Sequence, residues 1–570
     1  MTSNLTSPET VQDRIAALHR QRRDLMNQPA SDQMQTILSH PHPAALAHAY
    51  PEEDFYFLIH DIGIEDALPL LALASDKQRE YIFDISMWQR DRVDIHAAIR
   101  WTGFMLAADP RRTIQWLVNQ KSDEMFFILF KTIDVAVREH DQPPDELGDD
   151  FITIDDVFYY RVKPDVRQTQ PLEVIISKML ELLGDYDHIL YQRLLLESAS
   201  VVPCETEEDL YRLRNVRLAE KGFLPFDEAL GIYQPLAAAQ LRKRPTKVLN
   251  PVDSLMPVPC HAQSMADHDC LFTQALSHAA LDFSILAQLQ IEFAGLSNQI
   301  LGAESEPINN REQLRRAVAR ACGYISIGLE KLSDPQADRA THAHLLKRYA
   351  LSDLFRVGVA PAMRLKWQAE KWRHSSWFHS QGLPLSFWGE DWLGVLGGLL
   401  VKRPLFFDNY QTGRLYRDFK SMVDIDQTRL VLDRIIVFDQ LLQRMNQSCR
   451  ASINHFVTFK SFLLTLWATS QLGLPEIFAP IPLNRFTEFY IRLFAHDKSD
   501  RSDVPRQTAL AMKNQFLTWI AEKTSLTPVQ IVDMAGPALV ALFEEIEFEY
   551  GQVRPDNLDP RHIHLFWIRE

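Results

Sequence analysis

The sequence predicts a mostly α-helical protein of more than one domain, with a minor β element near residues 151–162 and a second one at the C-terminus. Three observations predict it. Residues 50–140 repeat apolar positions at helical spacing between capping residues. Proline-rich and acidic stretches interrupt the chain at 139–150 and 243–259. Long helical patterns then resume from about 265 to 372 and from 422 to 545.

The first helical pattern, residues 8–27, is polar with a thin apolar stripe of Val11, Ile15, Leu18 and Leu25, and reads as a peripheral arm. Phe55, Leu58, Ile59 and Ile62 then follow the i, i+3, i+4, i+7 spacing of one helix face. Gly63 can stop that helix, because glycine takes a positive φ without steric cost. Leu68, Leu70 and Leu71 mark a second helix. Ser75 and Asp76 offer an N-cap to a third, which carries Tyr81, Ile82 and Ile85. Asp109-Pro110 repeats the logic, with a capping Asp and a proline at the first helical position. Another helix is expected over roughly 123–138, with Phe126, Phe127, Leu129 and Phe130 on it. Short helices joined by short turns suggest an array or bundle.

Beyond the acidic stretch, Phe151–Ile154 and Val157–Val162 read as two strands around Asp155-Asp156, because β-branched and aromatic residues favour a pleated surface. Helices follow at 171–198 and 206–221, the latter with Thr206 and Asp209 as a capping-box variant. Pro245, Pro251, Pro257 and Pro259 make 243–259 the expected domain boundary. The expected organisation is an arm over 1–30, a repeat-like helical domain over 31–140, an α+β segment over 151–243, and a large helical domain over 260–570 that divides near 380–420. Glu545–Tyr550 reads as a strand or a helix end, and Ile563–Ile568 as a strand.

Composition bounds the function. Lys and Arg number 60 against 75 Asp and Glu, a net charge of −15. Binding nucleic acid through its backbone needs cationic surface to displace counterions, so no nucleic-acid partner is expected. Five scattered cysteines do not form a disulfide framework and suit a reducing cytoplasm. The N-terminus lacks the basic-then-apolar pattern of a signal peptide, and no apolar run approaches the ~20 residues of a spanning helix. A cytoplasmic protein without membrane insertion is the expectation.

Several motifs could carry chemistry. His60-Asp61-Ile62-Gly63 matches the dyad of metal-dependent HD-class phosphohydrolases, with Asp134 as a candidate distant acid and His40, His42 and His48 as candidate companions. The plainer reading is a solvent-facing helix end. Cys260, His261, His268 and Cys270, with His278 beyond, are soft and borderline donors that suit zinc, yet their spacing matches no zinc knuckle. The acidic residues of 141–156 and the loop His496–Asp503 suit hard cations, but read more simply as solvated loops. Trp367, Trp372, Trp377, Trp388 and Trp392 fall within 26 residues, with His374 and His379 interleaved. Tryptophan is ordinary core material and also a binding hot spot, so this segment is the first candidate for a ligand or partner surface. Gly323-Tyr-Ile-Ser-Ile-Gly328 misses a nucleophile elbow by one residue. No phosphate-binding loop, dinucleotide fingerprint or zincin motif is present. No cofactor is expected.

Five segments, Glu65–Ser75, Arg217–Tyr233, Leu351–Gly358, Val401–Pro404 and Val553–Pro560, resemble an uncharacterised bacterial family known as a domain of unknown function. The resemblance spans nearly the whole chain and implies no activity. Residues 55–90 are similar to the N-terminal helical repeats of MgtE-type magnesium transporters, which implies a helical fold and no ligand residue. These readings favour a non-catalytic interaction, scaffold or regulatory protein with a protein partner or self-association. The alternatives are a metal-dependent hydrolase using His60 and Asp61, and a small-molecule sensor with a tryptophan-rich pocket.

Overall fold

In a computed structural model, the structure describes residues 11–139, 148, 150–167, 170–198, 203–249, 257–267, 269–279, 283–304, 311–447, 449, 457–494 and 506–569. Three of the caps foreseen from the sequence form. Gly63 ends the helix Glu52–Ile62 at φ 102° and donates its N–H to Ile59 O. Ser75 and Gln78 make a reciprocal capping box on Asp76–Ser86. Asp109 accepts from Arg112 N at the start of Pro110–Gln120. Ser75 and Asp109 each satisfy a backbone donor that the first turn leaves without an intrahelical partner, and Gly63 satisfies a carbonyl of the last turn.

Three local expectations are corrected. The helix at 123–138 stops at Thr132, and Ile133–Val137 is a strand. Its β-branched run Ile133, Val135 and Val137 prefers the sheet, where it pairs antiparallel with Phe158–Val162. The expected hairpin supplies the rest of that sheet: Ile152–Thr153 pairs with the other edge of Phe158–Val162. Asp155 shapes the turn by accepting from the N–H groups of Val157 and Phe158. The helix expected from 206 begins at Pro203, so Thr206 lies inside it and does not cap it. The arm Val11–Leu25 is mostly exposed and is held at its C-terminal end, where Arg22 and Leu25 are buried at 2% and 4% exposure. At the C-terminus, Glu545–Tyr550 ends the helix Pro528–Tyr550, and of Ile563–Ile568 only Ile568 enters a strand, Ile568–Arg569, which pairs parallel with Ile481–Pro482.

The chain divides into two units, residues 1–359 and 360–570. The division falls inside the helix Leu351–Ser375. Among the described residues, the regular structure of the first unit is helical apart from the three-stranded sheet and the hairpin Trp88–Gln89/Arg92–Val93. Within it, the helices Arg311–Leu332 and Leu351–Ser375 approach so closely at Gly328 and Gly358 that a Cβ on Gly358 would lie 1.8 Å from Tyr324 O. The second unit packs helices around a nearly continuous aromatic core that includes Trp388, Phe387, Phe462 and Trp467, all fully buried. The mostly α character with a minor β element holds across the described residues. Among them, no single helix is long and apolar enough to cross a membrane.

Candidate functional site

The helix Glu52–Ile62 organises the first unit. Its first turn is Glu52-Glu53-Asp54, and acids there are favoured by the partial positive charge of a helix N-terminus. The three side chains reach three different segments. Glu52 Oε2 accepts from Lys221 Nζ at 2.5 Å. Asp54 accepts from the backbone N–H of Cys260 at 3.0 Å and of His261 at 2.6 Å, and lies 3.7 Å from the Arg22 guanidinium. Arg22 donates to Val258 O at 3.0 Å. The N-terminal helix and the end of the proline-rich stretch are thus fastened to one carboxylate, and both Arg22 and Asp54 are 2% exposed.

Glu53 differs from its neighbours. It is 5% exposed, its Oε2 has no hydrogen-bond partner, and Lys221 Nζ stands 3.9 Å away. Burial pushes its carboxyl up to about 7, more than Lys221 offsets. A buried acid that titrates near neutrality beside a cleft marks a candidate functional site.

Two clefts meet at Lys221. One, of about 670 Å³, is bordered by Glu53, Lys221, Glu292 and the apolar Val258, Ile291 and Leu296. The other, of about 710 Å³, is bordered by Glu52, Asp76, Glu80, Asp84 and Glu220 and by Lys77, Arg112, Arg217 and Lys221. Both volumes fall in the range that holds small ligands or peptide side chains. The floor of the second is an ion network. Arg217 grips Asp84 with two 2.7 Å bonds, and Lys121, 2% exposed, bridges Glu80 at 2.8 Å and Glu124 at 3.1 Å. Burial pushes the Asp84 carboxyl upward against the pull of Arg217.

The same helix carries His60 and Asp61. His60 packs against Tyr56, with ring centroids 4.4 Å apart, and Trp101 at 5.8 Å. Burial lowers its imidazole to about 4. Asp61 lies 3.1 Å from Arg311 Nε. The other expected members of an HD site are elsewhere: Asp134 pairs with Arg161 at 2.9 Å on the sheet, His48 meets Leu73 O at 2.9 Å, and His40 and His42 face each other. The structure does not bring them to His60.

His261 does arrive at this helix. It stacks on Phe57 with centroids 4.7 Å apart and parallel planes, and burial lowers its imidazole to about 3. Cys260 points its thiol to Val258 O at 3.2 Å, while Cys270 faces Thr273 Oγ1 at 3.3 Å. His268 lies outside the described residues, His278 is exposed, and no group of three or more metal-ligating side chains forms among those described. Of the two acidic loops, Asp141, Asp145, Glu146, Asp149 and the stretch 496–503 also lie outside the described residues. Ser326 sits in a helix, donating to Cys322 O.

In the second unit the tryptophan segment is largely core. Trp372, Trp377 and Trp388 are 7%, 7% and 1% exposed, Trp392 stacks on Phe459 at 4.5 Å, and Trp367 is 48% exposed. His374 and His379 are exposed and face each other at 6.3 Å. A cavity of about 330 Å³ borders Trp372, Ser376 and Asp439. Asp439 accepts from the N–H groups of Trp377 and Phe378, and burial still pushes its carboxyl upward.

Sequence reasoning missed Glu53, Lys221 and Arg22. The run Glu52-Glu53-Asp54 ahead of an apolar helix face was a visible signal, since three acids in one turn cannot all point to solvent when Phe55–Ile59 are buried.

A mostly helical protein with a charged double cleft is as far as geometry classifies the chain. It belongs to the family described as a family of unknown function, DUF6178, whose model matches residues 11–569. No curated protein and no solved structure matches it. Nothing in these comparisons supports the MgtE-like reading of residues 55–90.

Proposed function

We propose that this protein is a non-catalytic, cytoplasmic binding protein whose first unit takes a charged segment of a protein partner in the double cleft at Lys221. The observation that carries this reading is the cleft itself. Its charged side borders both signs, and its other side offers apolar surface at Val258, Ile291 and Leu296. A peptide that carries charges beside an apolar anchor fits both halves, and complementary charges would fix its register. The net charge of −15 weighs against a nucleic-acid partner.

The test is a photo-crosslinker. With benzoylphenylalanine in place of exposed Lys77 at the cleft edge, a discrete adduct is expected in cells, absent when the crosslinker replaces Arg193. Lys221→Glu should abolish it. An adduct of two copies of this chain would assign the cleft to self-association. Equal labelling from both positions, or none, would sink the reading.

A second reading rests on the cavity beside Trp372 and Asp439, where a small cationic molecule would meet a buried carboxyl and an aromatic wall. A thermal-shift screen of amines checks it: a native-state ligand raises the melting temperature with concentration, and Asp439→Asn should remove that rise.

A further inference from the structure

The helix Pro203–Ala219 carries Arg214, a cation without an acid of its own. Its Nε donates to the backbone carbonyl of Asp84 at 2.6 Å, and Nη1 reaches Asn215 Oδ1 at 3.4 Å. The Asp84 carboxylate is taken by the two bonds from Arg217. Among the described residues, Arg214 Nη2 has no hydrogen bond and the guanidinium pairs with no carboxylate.

This guanidinium borders a cavity of about 70 Å³. One water needs about 10–15 Å³ in that measure, so the space admits a compact ion. Three segments build the walls. The first hairpin gives Trp88, whose ring the guanidinium covers at 5.4 Å, and exposed Arg90, set at the turn with φ 61°. Tyr211, one helical turn before Arg214, packs on Trp88 with ring centroids 5.7 Å apart. Past the helix end, Gly222 at φ 79° reverses the chain, the Phe223 N–H returns to Leu218 O at 3.0 Å, and both side chains join the wall. Gly222 must be glycine, because a Cβ there would lie 2.6 Å from Gly295 Cα. Among the described residues, two arginines border the cavity and no carboxylate does. That runs against the net charge of −15 of the whole chain.

We propose that this cavity binds a short apolar carboxylate, with Arg214 holding the anion and Arg90 standing at the mouth. The Nη1–Nη2 edge of Arg214 is a planar fork that matches the two oxygens of a carboxylate. The hydrocarbon end then lies against Leu218 and Phe223, which are 3% and 6% exposed. A phosphate would press unbonded oxygens against the same apolar wall, at a desolvation cost. Burial pulls the Arg214 guanidinium down to about 10 against the charge of Asp84. It is still cationic at pH 7, and a bound anion offsets the cost of burying it.

The experiment uses the full-length chain at pH 7. Sodium propionate should raise the melting temperature with concentration beyond matched sodium chloride, as a native-state ligand does. Saturation-transfer NMR should show the propionate methyl in contact with the protein. Arg214→Met should abolish both effects. Arg90→Glu, on an exposed turn, should weaken binding on the order of tenfold by placing a like charge beside the anion, and it decides the matter if Arg214→Met does not fold. Propionate acting no better than chloride, either variant binding it unchanged, or phosphate binding as tightly would overturn the proposal. N-Acetylalanine presents the same group as a peptide C-terminus. Binding tighter than that of propionate supports the site with a chain terminus as its ligand, and weaker binding supports it with a free acid.

Discussion

The acid run Glu52-Glu53-Asp54 of the first unit and the acid pair Asp408 and Asp424 of the second bury carboxylates under opposite conditions. In the second unit, Arg417 lies between two acids that are 1% and 6% exposed, bonding Asp408 at 2.7 Å and Asp424 at 2.7 and 2.9 Å. Thr412 gives Asp408 two further bonds, and these with Arg417 overcome burial and hold its carboxyl below the usual range. Arg417 also covers the Phe406 ring at 4.3 Å. In the first unit, Glu53 has burial without a hydrogen bond on Oε2, and its carboxyl rises to about 7. The first arrangement locks the hairpin Phe406–Phe407/Tyr416–Arg417 to the start of the helix Met422–Met445. The second leaves a charge unsettled at the edge of a cleft. Saturated charge holds structure, whereas unsaturated charge is available to a ligand.

The largest test of that contrast is Arg417→Met. It leaves two buried carboxylates without their cation, so a loss of about 3–5 kcal/mol is expected in urea denaturation. Lys221→Met should cost about 1 kcal/mol or less, because the Lys221 side chain is 30% exposed and its pair with Glu52 is screened by solvent. Equal losses would erase the distinction between the two clusters.

Glu53→Gln sharpens it through pH. The native carboxyl holds its proton up to about 7, while the unfolded one releases it near 4.5. Between those values the unfolded state binds fewer protons, so stability falls as pH rises through the window and the penalty is complete above 7. The amide cannot ionise. The variant should therefore match wild type at pH 4 and exceed it at pH 8 by on the order of 2 kcal/mol. A variant less stable than wild type at pH 8 would mean that the Glu53 charge is satisfied.

Much of the architecture was legible because local rules decided it. Gly63, Ser75 and Asp109 act within four residues of themselves, and periodicity needs no tertiary knowledge. The strand Ile133–Val137 was missed because its partner lies more than twenty residues away, and pairing overrode the helical run before it. The candidate site was less legible still. Arg22, Asp54, Lys221 and His261 meet across separations of up to 239 residues, and no spacing in one sequence encodes that meeting. His60-Asp61 shows the reverse case: a pattern with a local signature whose expected companions, Asp134 and His48, the fold takes to other partners.

His60 supplies the smallest and most discriminating test. Its imidazole is neutral in the native state down to about 4, against 6.5 when unburied. The unfolded state therefore takes up a proton first as pH falls. Stability from this group is complete above about 6.5 and is lost progressively toward 4. His60→Phe keeps a ring against Tyr56 and Trp101, removes the buried Nε2 that has no hydrogen-bond partner, and cannot be protonated. At pH 8 it should lie within about 0.5 kcal/mol of wild type, and at pH 5 it should be more stable by about 1 kcal/mol. A metal-binding His60 gives the opposite pattern. Stoichiometric Mn²⁺ or Zn²⁺ would then raise the melting temperature of wild type at pH 8 and leave His60→Phe unmoved, and the dyad would be a metal site whose remaining ligands come from beyond this helix.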